Sequence, residues 1–256
     1  MHPTRLTFDP AHDENPVWTP DGRHVVFTSL RGENGEHNLY WRPSDGSGEA
    51  GRLTESENWQ RPSSWHPSGR FLAFLEQSPQ TGVDVKILEM GGDEASGWTP
   101  GTPTSFVEDS FNERSPAFSP DGRFLAYASD ESGRFEVYVR PFPGPGGKWQ
   151  VSADGGIWAT WSKTRPELLF ETEGGEIMVA SYTAAGDSFR SERPVPWFDG
   201  RIHMPQAGAR SFDLHPDGER VALRFARGGS GAAPAGVVVV FNFFDELRRL
   251  TAGGGE

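Results

Sequence analysis

The sequence predicts an all-β fold, a β-propeller in which five four-stranded blades are visible. Two patterns indicate this fold: a unit that recurs after about 45 to 50 residues, and a turn of Pro, Asp and Gly within most copies of it. The composition agrees, because 32 glycines and 21 prolines in 256 residues are typical of many short strands joined by tight turns.

The recurring unit contains an inner strand, a turn and a second strand. Its first copy covers residues 16–27, and further copies cover residues 62–74, 116–127, 159–170 and 211–223. In the turn, Pro presets the backbone of the second position and Gly takes the left-handed position that closes the hairpin. Four or five apolar residues follow without alternation, which indicates a strand covered on both faces. The fourth copy has lost its Asp-Gly pair.

Two more strands complete each predicted blade. Third strands are predicted at residues 38–41, 83–88, 135–139, 177–180 and 237–241, and outer strands at residues 52–54, 105–107, 149–151 and 195–198. Residues 1–256 then form one domain with blades at about 14–54, 55–107, 108–153, 154–200 and 201–251. One repeat position is aromatic in every copy and is assigned to the core between blades: Trp18, Trp65, Phe118, Trp161 and Phe212.

Residues 5–8 are predicted to form the outer strand of a preceding or closing blade, because Arg5-Leu6-Thr7 precedes the first unit much as Arg52-Leu53-Thr54 precedes the second. Either this strand closes the ring, or the chain is a fragment of a larger propeller. A rival outer strand at residues 247–251 favours the fragment. An open ring would leave strand edges that promote self-association.

The repeats resemble the TolB-like, WD-like β-propeller repeats of bacterial proteins, and are most similar to the propeller region of bacterial serine/threonine kinases and related sensors. The segments that carry the resemblance are residues 5–13, 129–143, 147–152 and 242–249, with Arg140-Pro141-Phe142-Pro143 among the more specific. The resemblance implies more than five blades and a binding or sensing role. The sequence contains no Gly-rich phosphate loop or kinase catalytic loop, so kinase activity does not carry over.

Composition excludes some partners and leaves the compartment open. A net charge of -12 would repel a nucleic-acid backbone over most of the surface, and no apolar run is long enough to insert into a membrane. The absence of cysteine removes disulfides and thiol chemistry. We expect a soluble chain, cytoplasmic as given, or extracytoplasmic if it was cut from a secreted or membrane-anchored parent.

Enzyme and metal motifs are missing from the sequence. No Gly-x-Ser-x-Gly nucleophile elbow occurs, and the nearest string, residues 228–233, is interpreted as a flexible hairpin loop. The seven histidines lack metal-ligand spacing, and His66 and His215 are interpreted as turn residues. Asp13 and Glu14 are weak metal candidates that would suit calcium, although an acidic solvated turn is the favoured interpretation. No other cofactor is predicted.

A binding surface is predicted where the segments before the inner strands gather around the channel, because function is concentrated in loops on a rigid scaffold. Six residues there are candidate ligand-binding residues for a protein, a peptide or a small polar ligand: Glu14, Gln60, Arg61, Glu113, Arg114 and Trp158. We therefore expect a non-catalytic binding propeller, the sensor part of a signalling protein. The alternative is an accessory propeller of a hydrolase or metal-dependent enzyme whose catalytic parts lie outside this chain.

Overall fold

The computed structural model describes residues 5–32, 34–93, 97–198, 210, 212–218 and 220–223. In these residues it contains twenty β-strands and no helix, so no helix among them is long and apolar enough to cross a membrane. The strands form successive antiparallel sheets, each made from one continuous stretch of sequence. This arrangement confirms the predicted propeller architecture.

Blades one and three have four strands in chain order from the channel outwards. Blade one contains β1 (Asp13–Trp18), β2 (His24–Ser29), β3 (Asn38–Pro43) and β4 (Gly51–Arg52). Blade three is formed by the tenth to the thirteenth strands of the chain, namely β10 (Glu113–Phe118), β11 (Phe124–Ser129), β12 (Glu136–Pro141) and β13 (Trp149–Gln150).

Blades two and four each carry a fifth strand, which the sequence did not predict. Blade two contains β5 (Trp59–Trp65), β6 (Phe71–Ser78), β7 (Gly82–Asp93), β8 (Gly97–Pro100) and β9 (Thr104–Val107). Blade four contains β14 (Ile157–Trp161), β15 (Glu167–Glu171), β16 (Ile177–Ala185), β17 (Ser188–Ser191) and β18 (Val195–Pro196). The long third strand pairs first with the outer strand and then continues into an added hairpin.

The predicted turns close as expected in four of the five units. In the first, Gly22 N–H donates to the Thr19 carbonyl at 2.9 Å, and Gly22 has a φ of 70°. Gly69, Gly122 and Gly218 repeat this geometry with φ between 74° and 75°. The fourth unit, which lacks Asp-Gly, still closes its hairpin with a bond from Ser162 N–H to the Glu167 carbonyl at 3.0 Å.

The core lies between blades rather than within them. Trp65 packs among Val26 and Leu39 of blade one, and Phe118 packs among Ala73 and Val85 of blade two. Trp161 repeats this contact by packing on blade three. The second strands are accordingly buried on both faces, and all six residues of β11 are buried. Each blade is thus stabilised mainly by the blade before it.

Two residues of the predicted aromatic position differ from expectation. Trp18 is 59% exposed, because the described residues before it form no sheet for it to pack against. The described residues of blade five form β19 (Phe212–Leu214) and β20 (Val221–Leu223), in which Leu214 pairs with Val221 as Trp18 pairs with Val25 in blade one. Leu214 therefore holds the repeat position, while Phe212 is buried two residues earlier in the contact with blade four.

Residues 5–8, expected to be an outer strand, have no strand structure. They lie instead beside blade one, where Arg42 Nη1 donates to the Leu6 carbonyl at 2.6 Å and the Arg42 guanidinium lies 5.9 Å from the centre of the Phe8 ring. The predicted strands at 237–241 and 247–251, the loop at 228–233 and the segment at 242–249 lie outside the described residues.

Candidate functional site

Each inner strand of blades one to four is interrupted by a bulge. The pairing register slips between Glu14 and Val17, and equivalent slips occur in β5, β10 and β14. In three blades the bulge places a residue other than glycine in the left-handed region: Asn15 at φ 53°, Ser115 at φ 53° and Trp158 at φ 58°. Such a backbone is uncommon for a bulky residue such as Trp158, and strained positions of this kind concentrate at functional sites.

The bulges line the central channel. A cavity of about 210 Å³ is enclosed there by Asn15, Arg61, Ser115, Trp158 and Arg210, one from each of five successive inner segments. The inner segments therefore converge, as the repeat predicted. Arg210 is held by its neighbours, since its Nη2 lies 3.2 Å from Asp213 Oδ1 and also donates to Thr160 Oγ1.

A larger cavity of about 750 Å³ adjoins the channel at one mouth. Three of the six predicted binding residues line it, namely Arg61, Arg114 and Trp158. The other walls are the 34–37 loop of blade one, Glu57 and Trp59, and the side chains of Leu75, Gln77 and Val83 in blade two, with Ser115 from blade three. The volume lies in the range of about 300 to 1,000 Å³ that small-molecule sites occupy.

The two arginines of this cavity are each stacked on an aromatic ring. The Arg61 guanidinium lies 5.4 Å from the Trp158 ring centre, and the Arg114 guanidinium lies 4.7 Å from the Phe135 ring centre. These distances are typical of cation–π contacts. Burial lowers the pKa of Arg61, the Glu14 carboxylate raises it and the Arg114 charge lowers it further.

Gln60 and Glu113 do not line the mouth cavity, although both were predicted as binding residues. Gln60 is buried between blades one and two, where its amide donates to Glu76 Oε2 at 2.6 Å and accepts from Thr54 Oγ1 at 2.5 Å. Glu113 is 1% exposed and accepts from Ser129 Oγ at 3.1 Å. Because successive side chains of a strand point to opposite faces, only Arg61 and Arg114 face the cavity.

Glu113 has an unusual charge state. Its pKa is raised from 4.5 to about 8, mainly because burial disfavours the charged form. The hydrogen bond from Ser129 lowers the pKa, whereas the negative charges of Asp84, Asp109 and Asp130 raise it. Its second oxygen, Oε2, is buried without a hydrogen-bond partner. Glu113 is therefore mostly protonated at neutral pH.

Asp13 and Glu14, the weak metal candidates, are engaged elsewhere. Both oxygens of Asp13 accept from Arg31 Nη2 at 3.0 Å, and Arg31 also lies 5.0 Å from the centre of the Tyr40 ring. Glu14 lies 3.7 Å from a ring nitrogen of both His12 and His37. Across the described residues, no group of three or more His, Asp or Glu side chains is arranged to hold a metal ion.

His66 lies in the turn of blade two, and its ring also contacts the turn of blade three, which the sequence did not predict. Its Nδ1 accepts from the Ser68 backbone N–H at 3.1 Å, so its Nε2 carries the proton that reaches the Gly122 carbonyl at 3.1 Å. Ser68 Oγ also lies 2.7 Å from Nδ1. The contact with Gly122 ties together the turns of blades two and three, while the Ser68 contacts hold the other ring nitrogen within the turn of blade two.

The sequence interpretation missed the apolar walls of the mouth cavity and the 34–37 loop. Leu75 and Val83 belong to strands that otherwise form the core, and nothing in their local sequence separates them from buried neighbours. Trp59 lies inside a segment expected to face the channel, but its aromatic character alone is equally typical of core.

No family model matches this chain, and no curated protein matches it either. The structure is similar to solved β-propellers. TolB from Acinetobacter baumannii has a TM-score of 0.58 and 17% identity, over 87% of this chain and 51% of that chain. An oligogalacturonate lyase in complex with manganese has a TM-score of 0.55 and 13% identity, over 88% of this chain and 61% of that chain.

Prolyl endopeptidases form a third group of similar structures, with a TM-score of 0.51 and 14% identity over 83% of this chain and 32% of that chain. The chain thus spans about half the length of TolB and about a third of the endopeptidase. Likeness at these identities shows the fold alone. The chain has a β-propeller fold, similar to those of TolB, the lyase and the endopeptidase.

Proposed function

We propose that this chain is a non-catalytic binding module that takes a segment of a partner protein into the cavity at the channel mouth. The observation that carries the proposal is the cavity of about 750 Å³, where Arg61, Arg114 and Trp158 from three different blades meet. Apolar walls at Leu75 and Val83 face these polar groups. Concave sites with mostly apolar walls and a few placed polar groups are typical of ligand binding.

The scaffold around the cavity is rigid enough to preorganise it. Most of the cavity-lining residues of blades two to four belong to paired β-strands, and Trp158 is held at its bulge by backbone pairing on both sides. A preformed site loses less conformational freedom when a ligand binds than a flexible loop would.

In its finer form the proposal assigns this binding role to the sensor part of a larger signalling protein. The support is the resemblance of Arg140-Pro141-Phe142-Pro143 to sensor propellers. In the structure Phe142 packs against Phe71 of blade two with ring centres 5.1 Å apart, so this segment joins blades two and three rather than lining the cavity.

A selection of random short peptides against the purified chain tests the binding role. Peptides that are enriched are then titrated by calorimetry against wild type, Trp158→Ala and Trp18→Ala. We expect Trp158→Ala to weaken binding by about tenfold or more, as loss of a central aromatic contact does. Trp18→Ala is the matched control, because Trp18 is exposed away from the cavity.

Equal affinities for wild type and Trp158→Ala would place the bound peptides outside the cavity and reject the proposal. A selection that enriches no peptide would reject it as well. Unfolding by urea, followed in parallel for each variant, separates a lost contact from a lost fold.

A further inference from the structure

Arg61 and Arg114 are the arginines that line the mouth cavity, and neither has a hydrogen-bond acceptor among the residues that the structure describes. Within the described part of the chain, neither guanidinium donates a hydrogen bond or forms an ion pair. Other arginines are paired: Arg31 binds Asp13 at 3.0 Å and Arg134 binds Glu136 at 2.7 Å. A guanidinium carries five N–H donors, so the cavity presents many donors without partners.

The aromatic rings beneath the arginines fix their position without using those donors. Trp158 lies under Arg61 and Phe135 lies under Arg114. A ring face attracts the cation but accepts no conventional hydrogen bond, so the N–H edges remain available. The two cations are also close enough for the Arg114 charge to act on Arg61.

The acids near the arginines do not neutralise them. Glu14 attracts Arg61, but its carboxylate lies 3.7 Å from His12 and His37 and makes no ion pair with Arg61. Glu113, beside Arg114 in sequence, is buried on the other face of β10. Arg61 and Arg114 thus place two positive charges at one cavity, although the chain as a whole has a net charge of -12. An anion bound between them would offset the repulsion of the two charges.

We infer that Arg61 and Arg114 form the anion-binding end of the cavity, and that the bound segment presents a carboxylate to them. This inference rests on the proposed binding function and names the chemistry of its ligand. Paired guanidinium groups match the planar, two-oxygen geometry of a carboxylate. Glu36 and Glu57 line the same cavity, so a single negative charge at the arginine end is favoured over a polyanion.

Two matched peptides test the inference directly: acetyl-Ala-Glu-Ala-amide and acetyl-Ala-Gln-Ala-amide, which differ by a single negative charge and little in shape. Binding is followed by tryptophan fluorescence and by NMR. We expect wild type to bind the Glu peptide at least about tenfold more tightly than the Gln peptide, because hydrogen bonds from a guanidinium to a charged carboxylate are stronger than those to a neutral amide.

Three variants separate the arginine pair from net charge. We expect Arg61→Gln and Arg114→Gln to abolish the preference for the Glu peptide. Arg190→Gln is the control, since it removes the same charge from an exposed residue of β17, outside the cavity, and should preserve the preference. Inorganic phosphate is titrated as a competing oxyanion.

Three results would overturn the inference: wild type that binds both peptides equally or neither, arginine variants that keep the preference, or phosphate that binds more tightly than the Glu peptide. Peptides from the selection that require Trp158 but neither arginine would leave the proposed binding function standing and reject the carboxylate. Selected peptides that do not require Trp158 would reject the binding function itself.

Discussion

Glu113 gives the sharpest prediction about stability, because it is a buried carboxyl group that forms no ion pair with any residue that the structure describes. Its side chain is 1% exposed, and its one hydrogen bond within the described residues comes from Ser129. Burial raises its pKa from 4.5 to about 8 in the folded protein. Between those two values the folded state holds a proton that the unfolded state has released, so stability should fall as the pH rises.

The size of the effect follows from the shift. Each tenfold change in the acid dissociation constant is worth about 1.4 kcal/mol, so the full shift corresponds to about 5 kcal/mol. Water entry and relaxation around the charged form reduce this figure, and we expect about 2 to 4 kcal/mol to be lost. The loss should begin above pH 4.5 and be complete above about pH 8.

Glu113→Gln keeps the shape and the hydrogen bond from Ser129 but cannot ionise. We expect this variant to match wild type below pH 4.5 and to exceed its free energy of unfolding by about 2 to 4 kcal/mol above pH 8. Urea unfolding over this pH range measures the difference, with the exposed Glu89→Gln as control. A difference between Glu113→Gln and wild type that does not change with pH would refute the reasoning.

Two pairs of substitutions test the blade contacts. Gly122→Ala and Gly22→Ala both place a side chain at positive φ, which should lower the free energy of unfolding by about 1 to 2 kcal/mol. Of the two, only the Cβ added at Gly122 meets another residue, at 2.1 Å from His66 Nε2. Urea unfolding should therefore show Gly122→Ala to be the more destabilising by about 1 to 3 kcal/mol, and equal losses would contradict the contact between turns. Trp65→Ala should lose about 3 to 5 kcal/mol by opening a cavity between blades one and two, whereas the exposed Trp18→Ala should lose under about 1 kcal/mol; similar losses in thermal and urea unfolding would show that Trp65 is not core.

The repeat made the fold predictable because the turn and the buried second strand are dictated locally. Gly22, Gly69 and Gly122 adopt the left-handed conformation that the turn requires, and that requirement is visible in sequence. The added hairpins of blades two and four were not predicted, since β8 and β17 pair only with an extension of the strand before them. Trp18 was misassigned because its packing depends on a neighbouring sheet, which no local pattern reports.

The site was half predictable for a similar reason. The repeat indicated that the segments before the inner strands gather around the channel, and the structure places Arg61 and Arg114 of those segments in the cavity. The repeat did not show which side chain of the pairs Gln60/Arg61 and Glu113/Arg114 lies in the cavity. That orientation depends on the bulge of the inner strand, which lies one or two residues later. Trp158, at the bulge of blade four, was selected for its place before an inner strand and for its aromatic side chain, and neither feature predicts its left-handed backbone.

The bulge also explains why neighbouring positions of one repeat carry different tasks. Asp13, Gln60 and Glu113 occupy the same position, pairing with Ser29, Glu76 and Ser129 of the second strands, and their side chains are held within or between blades. The next position holds Glu14, Arg61, Arg114 and Ile157, four residues of different chemistry with the same backbone pairing. Because the fold constrains only the backbone at this position, its side chains can vary with the ligand that the propeller binds. In the proposal above, Arg61 and Arg114 use this position to bind an anion, although the chain as a whole is acidic.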